Sequence, residues 1–283
     1  MSSSASSFPP DIRTDQPTVA RIYDYGMGGK DNFEVDRQAA LLLARTSPEM
    51  LDVARENRLF LYRAVRYLAR DAGIRQFIDM GSGMPTRNNV HQVAQEFQPD
   101  ASVVYVDIDP IVLTHGRALL ADNDTTTVIT ADMAEPEEIL SHEDLRSLID
   151  FDQPVALLYF SVLHCLPDSA DPGGVLRTML DAVPSGSYLA VSHLCSDDVA
   201  AGDAFTEEML ALGPWGRVRR PEELRAFVAG LESVDPGIVD VSQWRPDPDQ
   251  PPLSPVPAPL RPYVGRAAEG KKIWELGGVL RKP

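Results

Sequence analysis

The chain has 283 residues, 43% hydrophobic and 24% charged, which fits one large globular domain or one domain with a cap. Its formal net charge of -16 opposes phosphate backbones, and Arg217, Arg219 and Arg220 make too short a basic cluster to offset it, so nucleic acid is not an expected partner. No apolar run approaches membrane-spanning length, which argues against a membrane partner too.

The start, Ser2 to Ser7, lacks the basic region and apolar core of a signal peptide, and residues 1–13 read as a disordered tail. Thr18 to Tyr25 leads into a loop, Gly26 to Phe33, whose clustered glycines interrupt any helix. A helix is expected from Glu34 to Ala44. Ser47-Pro48 then opens a longer one, with Leu51, Ala54, Leu61, Val65 and Leu68 at helical spacing, ending near Gly73. Residues 14–75 are thus expected to form a helical cap or lid. Its loop carries Lys30, Asp31 and Asn32, more polar chemistry than a connector needs, which points to a ligand contact.

From Gln76 strands alternate with helices. Strand one ends at Asp79, and Pro85 is expected to open a helix carrying Val90, Val93, Ala94 and Phe97. Strand two is Ser102 to Val106, and Asp109-Pro110 starts a helix running to Leu120. Strand three is Thr127 to Ile129, followed by a capping-box pattern from Ser141 to Asp144. Strand four is Val155 to Phe160, Asp171-Pro172 starts the next helix, and strand five is Ser187 to Ser192. Helices follow at Ala204 to Leu212 and Pro221 to Leu231, a strand at Ile238 to Val241, a proline-rich excursion from Trp244 to Pro262, and a last strand over Lys272 to Leu280. The pattern predicts an α/β fold: a Rossmann-like, seven-stranded, mostly parallel sheet with an antiparallel late strand and helices on both faces. Residues 76–283 form the core, in a single domain with the cap.

The chemistry gathers where strands end. Asp79-Met80-Gly81-Ser82-Gly83 places an acid and two glycines beyond strand one, where the backbone turns tightly and meets a ligand closely. Asp107 and Asp132 end the next two strands, so three carboxylates line one rim of the sheet. Asp107 lies 24 residues past Gly83, near the spacing at which an acid bonds ribose hydroxyls; Asp132 suits an adenine amine and Asp79 a positive group. A dinucleotide loop wants a third glycine, and Pro85 instead removes a phosphate donor, which disfavours an NAD(P)-dependent oxidoreductase. The ligand expected here carries ribose, adenine and positive charge without phosphate.

On these motifs Gln76 to Ser192 resembles the class I S-adenosylmethionine-dependent methyltransferases. The resemblance implies that Asp79, Gly81, Ser82 and Gly83 surround the methionine part of the cofactor, that Asp107 and Ile108 meet the ribose, and that Asp132 and Met133 meet the adenine. Phe160 to Asp168 looks like the family's segment after strand four, which adds Ser161 to the cofactor residues; Tyr23, Lys30 and Asn32 are added from the cap. Arg21 to Tyr25, Gly28 to Phe33, Ala54 to Arg58 and Gly73 to Phe77 look like an actinobacterial subfamily of these enzymes. That narrower likeness implies fold and cofactor and leaves the acceptor open. The expected activity is methyl transfer from S-adenosylmethionine to an O or N nucleophile of a small molecule, in the cytoplasm and without a metal. The alternative is a cofactor-binding sensor that performs no transfer. His164, just past strand four, is the candidate base, since imidazole titrates near neutrality. Cys165 and Cys195 read as buried free thiols in a reducing compartment.

Overall fold

The computed structural model describes residues 13–119 and 123–283. The expected tail, residues 1–13, lies outside the described residues except for Arg13, and so does Leu120, the expected end of its helix. Three helices come first: α1 (Val19–Gly26), α2 (Glu34–Thr46) and α3 (Met50–Arg66), the last extended by a π-helical turn, Tyr67–Asp71. The alternating part runs β1 (Gln76–Met80), α4 (Val90–Phe97), β2 (Ser102–Asp107), α5 (Pro110–Leu119), β3 (Thr126–Thr130), α6 (Pro136–Ser141), α7 (Glu143–Leu148), β4 (Ala156–Phe160), α8 (Pro172–Ala182) and β5 (Tyr188–Cys195). It closes with α9 (Val199–Leu212), α10 (Pro221–Phe227), β6 (Glu232–Ser233), β7 (Val239–Asp240) and β8 (Trp274–Arg281).

The sheet order is β3-β2-β1-β4-β5-β8-β6, with β7 also paired to β8. The first five strands pair parallel; β8 runs antiparallel to β5, β6 and β7. Strands number eight among the described residues rather than the expected seven, because the edge position outside β8 is shared by two separate two-residue pieces. Chain order reverses between β1 and β4, and that is where an open α/β sheet leaves a crevice beyond its strand ends.

Period-two alternation divides the core. Phe77, Val103, Tyr105, Ala156 and Leu158 pack on the face covered by α3 and α4. Ile78, Met80, Val104, Val106, Leu157 and Tyr159 pack on the face covered by α6 to α8 and α10. Two boundaries differ from expectation. Pro85 does not start a helix: residues 81–89 form a loop, Asn88 takes φ +57, and α4 begins only after Asn89, whose N–H Gln92 Oε1 accepts at 2.9 Å. The cap of α7 is His142, not Ser141, because Ser141 ends the preceding short helix. The proline-rich excursion is tied to α3: Arg63 donates to the carbonyls of Trp244 (2.7 Å) and Val241 (2.6 Å).

The first helix is fixed by a buried ion pair. Arg21 and Asp36, 1% and 0% exposed, meet at 3.0 Å, and Asp36 also accepts from the N–H groups of Thr18 and Phe33. Removing the carboxylate leaves a buried guanidinium without its charge partner. Asp36→Ala should therefore lower the unfolding free energy by about 3–5 kcal/mol, read from urea denaturation. A loss below about 1 kcal/mol, the range of an exposed pair, would contradict this role.

Candidate active site

Beyond the carboxyl ends of β1, β2 and β4 lies a cavity of about 520 Å³. The β1 loop is stitched to β2 at its floor. Gly81 and Ser82 donate N–H bonds to the Val106 carbonyl at 2.8 and 3.1 Å, and Gly83 N–H reaches Asp107 Oδ2 at 2.8 Å. Asp107 Oδ1 also accepts from Asp109 N–H at 2.9 Å, which leaves lone pairs on both oxygens for a ligand. Gly81 has φ +64, and a Cβ there would lie 2.1 Å from Val162 Cγ2. Gly83 has φ +66 with open space around it.

The cavity's charge is unbalanced. Asp79 is buried at 4% exposed, and burial pushes its carboxyl up to about 7, against the pull of the Arg58 guanidinium and with the push of Asp107. Arg58 comes from α3 and donates to the carbonyls of Arg87 and Asn88, so it braces the 81–89 loop as well as facing Asp79. Ser82 Oγ is buried and has no partner. Burial also raises Asp107. Two buried acids, one nearby guanidinium and an unpartnered hydroxyl make a site short of positive charge and of hydrogen-bond partners.

At the cavity's side runs a polar chain across four elements. Tyr23 OH donates to Ala54 O at 2.8 Å, and Asn57 Nδ2 to Tyr23 OH at 3.3 Å. Ser192 Oγ donates to Asn57 Oδ1 at 2.6 Å, and Ser161 N–H to Ser192 Oγ at 2.9 Å. Ser161 Oγ donates to Glu275 Oε1 on β8. An apolar stretch of wall comes from Val19 and Ile22 of α1, Met209 and Leu212 of α9, and Pro214 and Trp215, while Arg13 and Gln16, just before α1, and Arg21 and Asp24 within it also line the cavity. α1 is held over the mouth by Thr18, whose Oγ1 donates to Asp109 Oδ2 at 3.2 Å.

Of the residues singled out from sequence, Tyr23, Asp79, Gly81, Ser82, Gly83, Asp107, Ile108, Asp132, Met133 and Ser161 all line this one cavity. Three do not. Lys30 is exposed and away from the lining, while Asn32 is buried with its amide on Asp24 Oδ2 at 2.7 Å and its carbonyl accepting from Arg37 at 2.8 Å. The 26–33 loop is thus bound up in its own contacts, and α1 covers the cavity instead. His164, the expected base, is 3% exposed and absent from the lining; its Nδ1 accepts from Leu194 N–H at 3.2 Å and its ring packs on His193 and Trp215. Burial, with His193 and Arg219 nearby, holds the imidazole well below its ordinary value, so it is a neutral core group. Asn57, Arg58 and Trp215 also line the cavity and Glu275 bonds its Ser161, although none of the four is among the sequence-derived site candidates. Two local signals pointed to three of them: Asn57 and Arg58 fall within the Ala54 to Arg58 motif, and Glu275 is a lone acid between Trp274 and Leu276 in an apolar strand.

A model of the S-adenosyl methyltransferase family matches residues 5–283. The chain is similar to a crystal structure of a candidate methyltransferase from Thermobifida fusca YX, 41% identical, covering 98% of this chain and 99% of that one with a TM-score of 0.85. It is similar as well to a DUF574 family protein from Streptomyces avermitilis MA-4680, 39% identical, covering 95% and 99% with a TM-score of 0.83. No curated protein matches the chain.

The two glycines make separable demands. Gly83→Ala meets only an adverse backbone angle and should cost about 1–2 kcal/mol. Gly81→Ala should cost more, since Val162 must also move. Denaturation midpoints of the two variants check this, and equal losses would contradict the close approach at Gly81.

Proposed function

The chain belongs to the S-adenosyl methyltransferase family, and from that premise we propose that the cavity binds S-adenosylmethionine over Asp79 to Gly83 and Asp107 to Met133 and transfers its methyl group to an oxygen or nitrogen of a small, largely apolar molecule. The observation that carries this reading is the pairing in one cavity of an acidic, under-neutralised end with an apolar end. The residues fit the cofactor. Asp79 offers a buried carboxyl to its ammonium, Arg58 a guanidinium to its carboxylate, Asp107 an acceptor to its ribose hydroxyls, and Ile108 and Met133 apolar surface to its base.

When bound, the cofactor supplies a methyl group already activated on a positive sulfur. The chain's own work is alignment and the exclusion of water. The 81–89 loop, braced by Arg58, holds one reactant against the strand ends. α1, pinned by the Arg21–Asp36 pair and Thr18, closes one side. Trp215, Met209 and Leu212 present apolar area to the other reactant. The molecule's net charge of -16 and the enclosure of this pocket by α1 and α9 favour a small acceptor over a nucleic acid. No described helix is long and apolar enough to cross a membrane.

Asp107→Ala tests the cofactor's placement. Losing a charged acceptor for the ribose hydroxyls removes about 1.5–3 kcal/mol, so S-adenosylmethionine should bind roughly tenfold to a hundredfold more weakly by calorimetry. Unchanged affinity in a folded variant would contradict the placement.

A further inference from the structure

Glu275 is a buried acid without a structural explanation. It sits on β8 opposite Leu194 of β5, 1% exposed, in a strand buried from Glu275 to Leu280. One carboxyl oxygen accepts from Ser161 Oγ; the other, Oε2, is buried with no partner. A carboxylate held this way is costly. Ser161, its bonded neighbour, lines the cavity and adopts φ +55, a strained backbone for serine. The strain is maintained by two bonds from Ser161 N–H, to Ser192 Oγ and to the Ser192 carbonyl. Val162, the next residue, packs against Gly81, so Ser161 stands beside the β1 loop.

We propose that Glu275, acting through Ser161, is the group that holds the proton released during methyl transfer and that senses whether the bound cofactor carries a positive sulfur. This rests on the assignment of the cavity to S-adenosylmethionine. In the balanced step, the acceptor's heteroatom bonds the methyl carbon, the sulfur–carbon bond breaks, and its electron pair stays on sulfur. The sulfur thereby loses its positive charge. The proton shed by the acceptor passes to Ser161 Oγ while the serine proton passes to Glu275 Oε1. The carboxylate is thus neutralised as the sulfur is, and no buried charge is left over.

The surroundings set the direction. Glu275 is raised to about 8, chiefly by burial and in part by Asp240 on β7, against the opposing pull of Ser161 and Ser192. Tyr23 on α1 and the thiols of Cys165 and Cys195 are themselves raised in part by Glu275. Glu56 on α3 and Asp240 are bridged by Lys271, at 2.9 and 2.6 Å, so that ammonium is already shared between two acids. Near neutrality the free protein therefore keeps Glu275 protonated, and a positive sulfur beside Ser161 expels that proton.

Because Glu275 acts through Ser161 it is a positioning residue, and its test counts protons rather than turnover. S-adenosylmethionine and S-adenosylhomocysteine are titrated into the protein at pH 7 by calorimetry, in buffers of differing ionisation heat. Both share an ammonium, so Asp79 contributes equally to each. The proposal expects S-adenosylmethionine to release up to about one proton more than S-adenosylhomocysteine. The excess should vanish in Glu275→Gln and shrink in Ser161→Ala, yet persist in Asp79→Asn. Equal proton release by the two compounds in the native protein, or an excess that survives Glu275→Gln, overturns the proposal. The native comparison needs no variant to fold. Failure of both compounds to bind would instead overturn the assignment of the cavity, and this proposal with it.

Discussion

A buried carboxyl that the protein does not neutralise by itself organises the site. Asp79 ends the central strand β1, where the sheet reverses its order, and the only guanidinium brought against it among the described residues lining the cavity's floor is Arg58. Arg58 is shared with the carbonyls of the 81–89 loop. Burial outweighs the attraction, so the carboxyl is raised to about 7. A folded pKa above the unfolded one means that the stabilisation is present at low pH and is lost as pH rises through about 7. Near neutrality the free protein is therefore under electrostatic stress at its centre, and a ligand that brings a cation relieves it.

That constraint explains the placement of the first three helices. The sheet by itself supplies acids at its rim and backbone donors from the β1 loop, but no cation and no cover. α3 supplies Arg58 and Asn57, and α1 supplies Tyr23 and the apolar pair Val19 and Ile22. The pair of Arg21 and Asp36 then fixes α1 at the angle that lets Thr18 reach Asp109. Ser161, also in the lining, bonds Glu275 behind it, so a second buried acid, raised by burial like Asp79, lies one hydrogen bond from the cavity.

The parallel sheet and the convergence of Asp79, Gly81, Gly83, Asp107 and Asp132 were legible in the sequence because both follow from local rules. Alternating strands and helices put successive strand ends side by side, and acids at those ends must share a rim. The division of the edge into β6 and β7 was not legible, since two-residue strands carry no periodicity. Arg58, Trp215 and Glu275 carry no such local signal of their place: Arg58 and Trp215 line the cavity, and Glu275 meets its Ser161, only through packing between segments far apart in the chain. Lys30, Asn32 and His164 fail in the other direction. A polar side chain in a loop looks available for a ligand, yet Asn32 is occupied by Asp24 and Arg37, and His164 by the backbone of Leu194. Sequence shows which groups a segment carries, and only the fold shows which of them are already bonded.

The central claim, that Asp79 is held in reserve for a cation on the bound cofactor, is tested most directly by the affinity of S-adenosylhomocysteine between pH 5 and 7. This compound keeps the ammonium and lacks the positive sulfur, so Glu275 does not enter. Below about 7 the free protein must give up the Asp79 proton to bind, and affinity should fall by about tenfold for each pH unit once the carboxyl is fully protonated. In Asp79→Asn the affinity should be weaker at pH 7 and nearly flat across the range. A native protein whose affinity does not change over those two units, or an Asn variant that keeps the native slope, would contradict the claim.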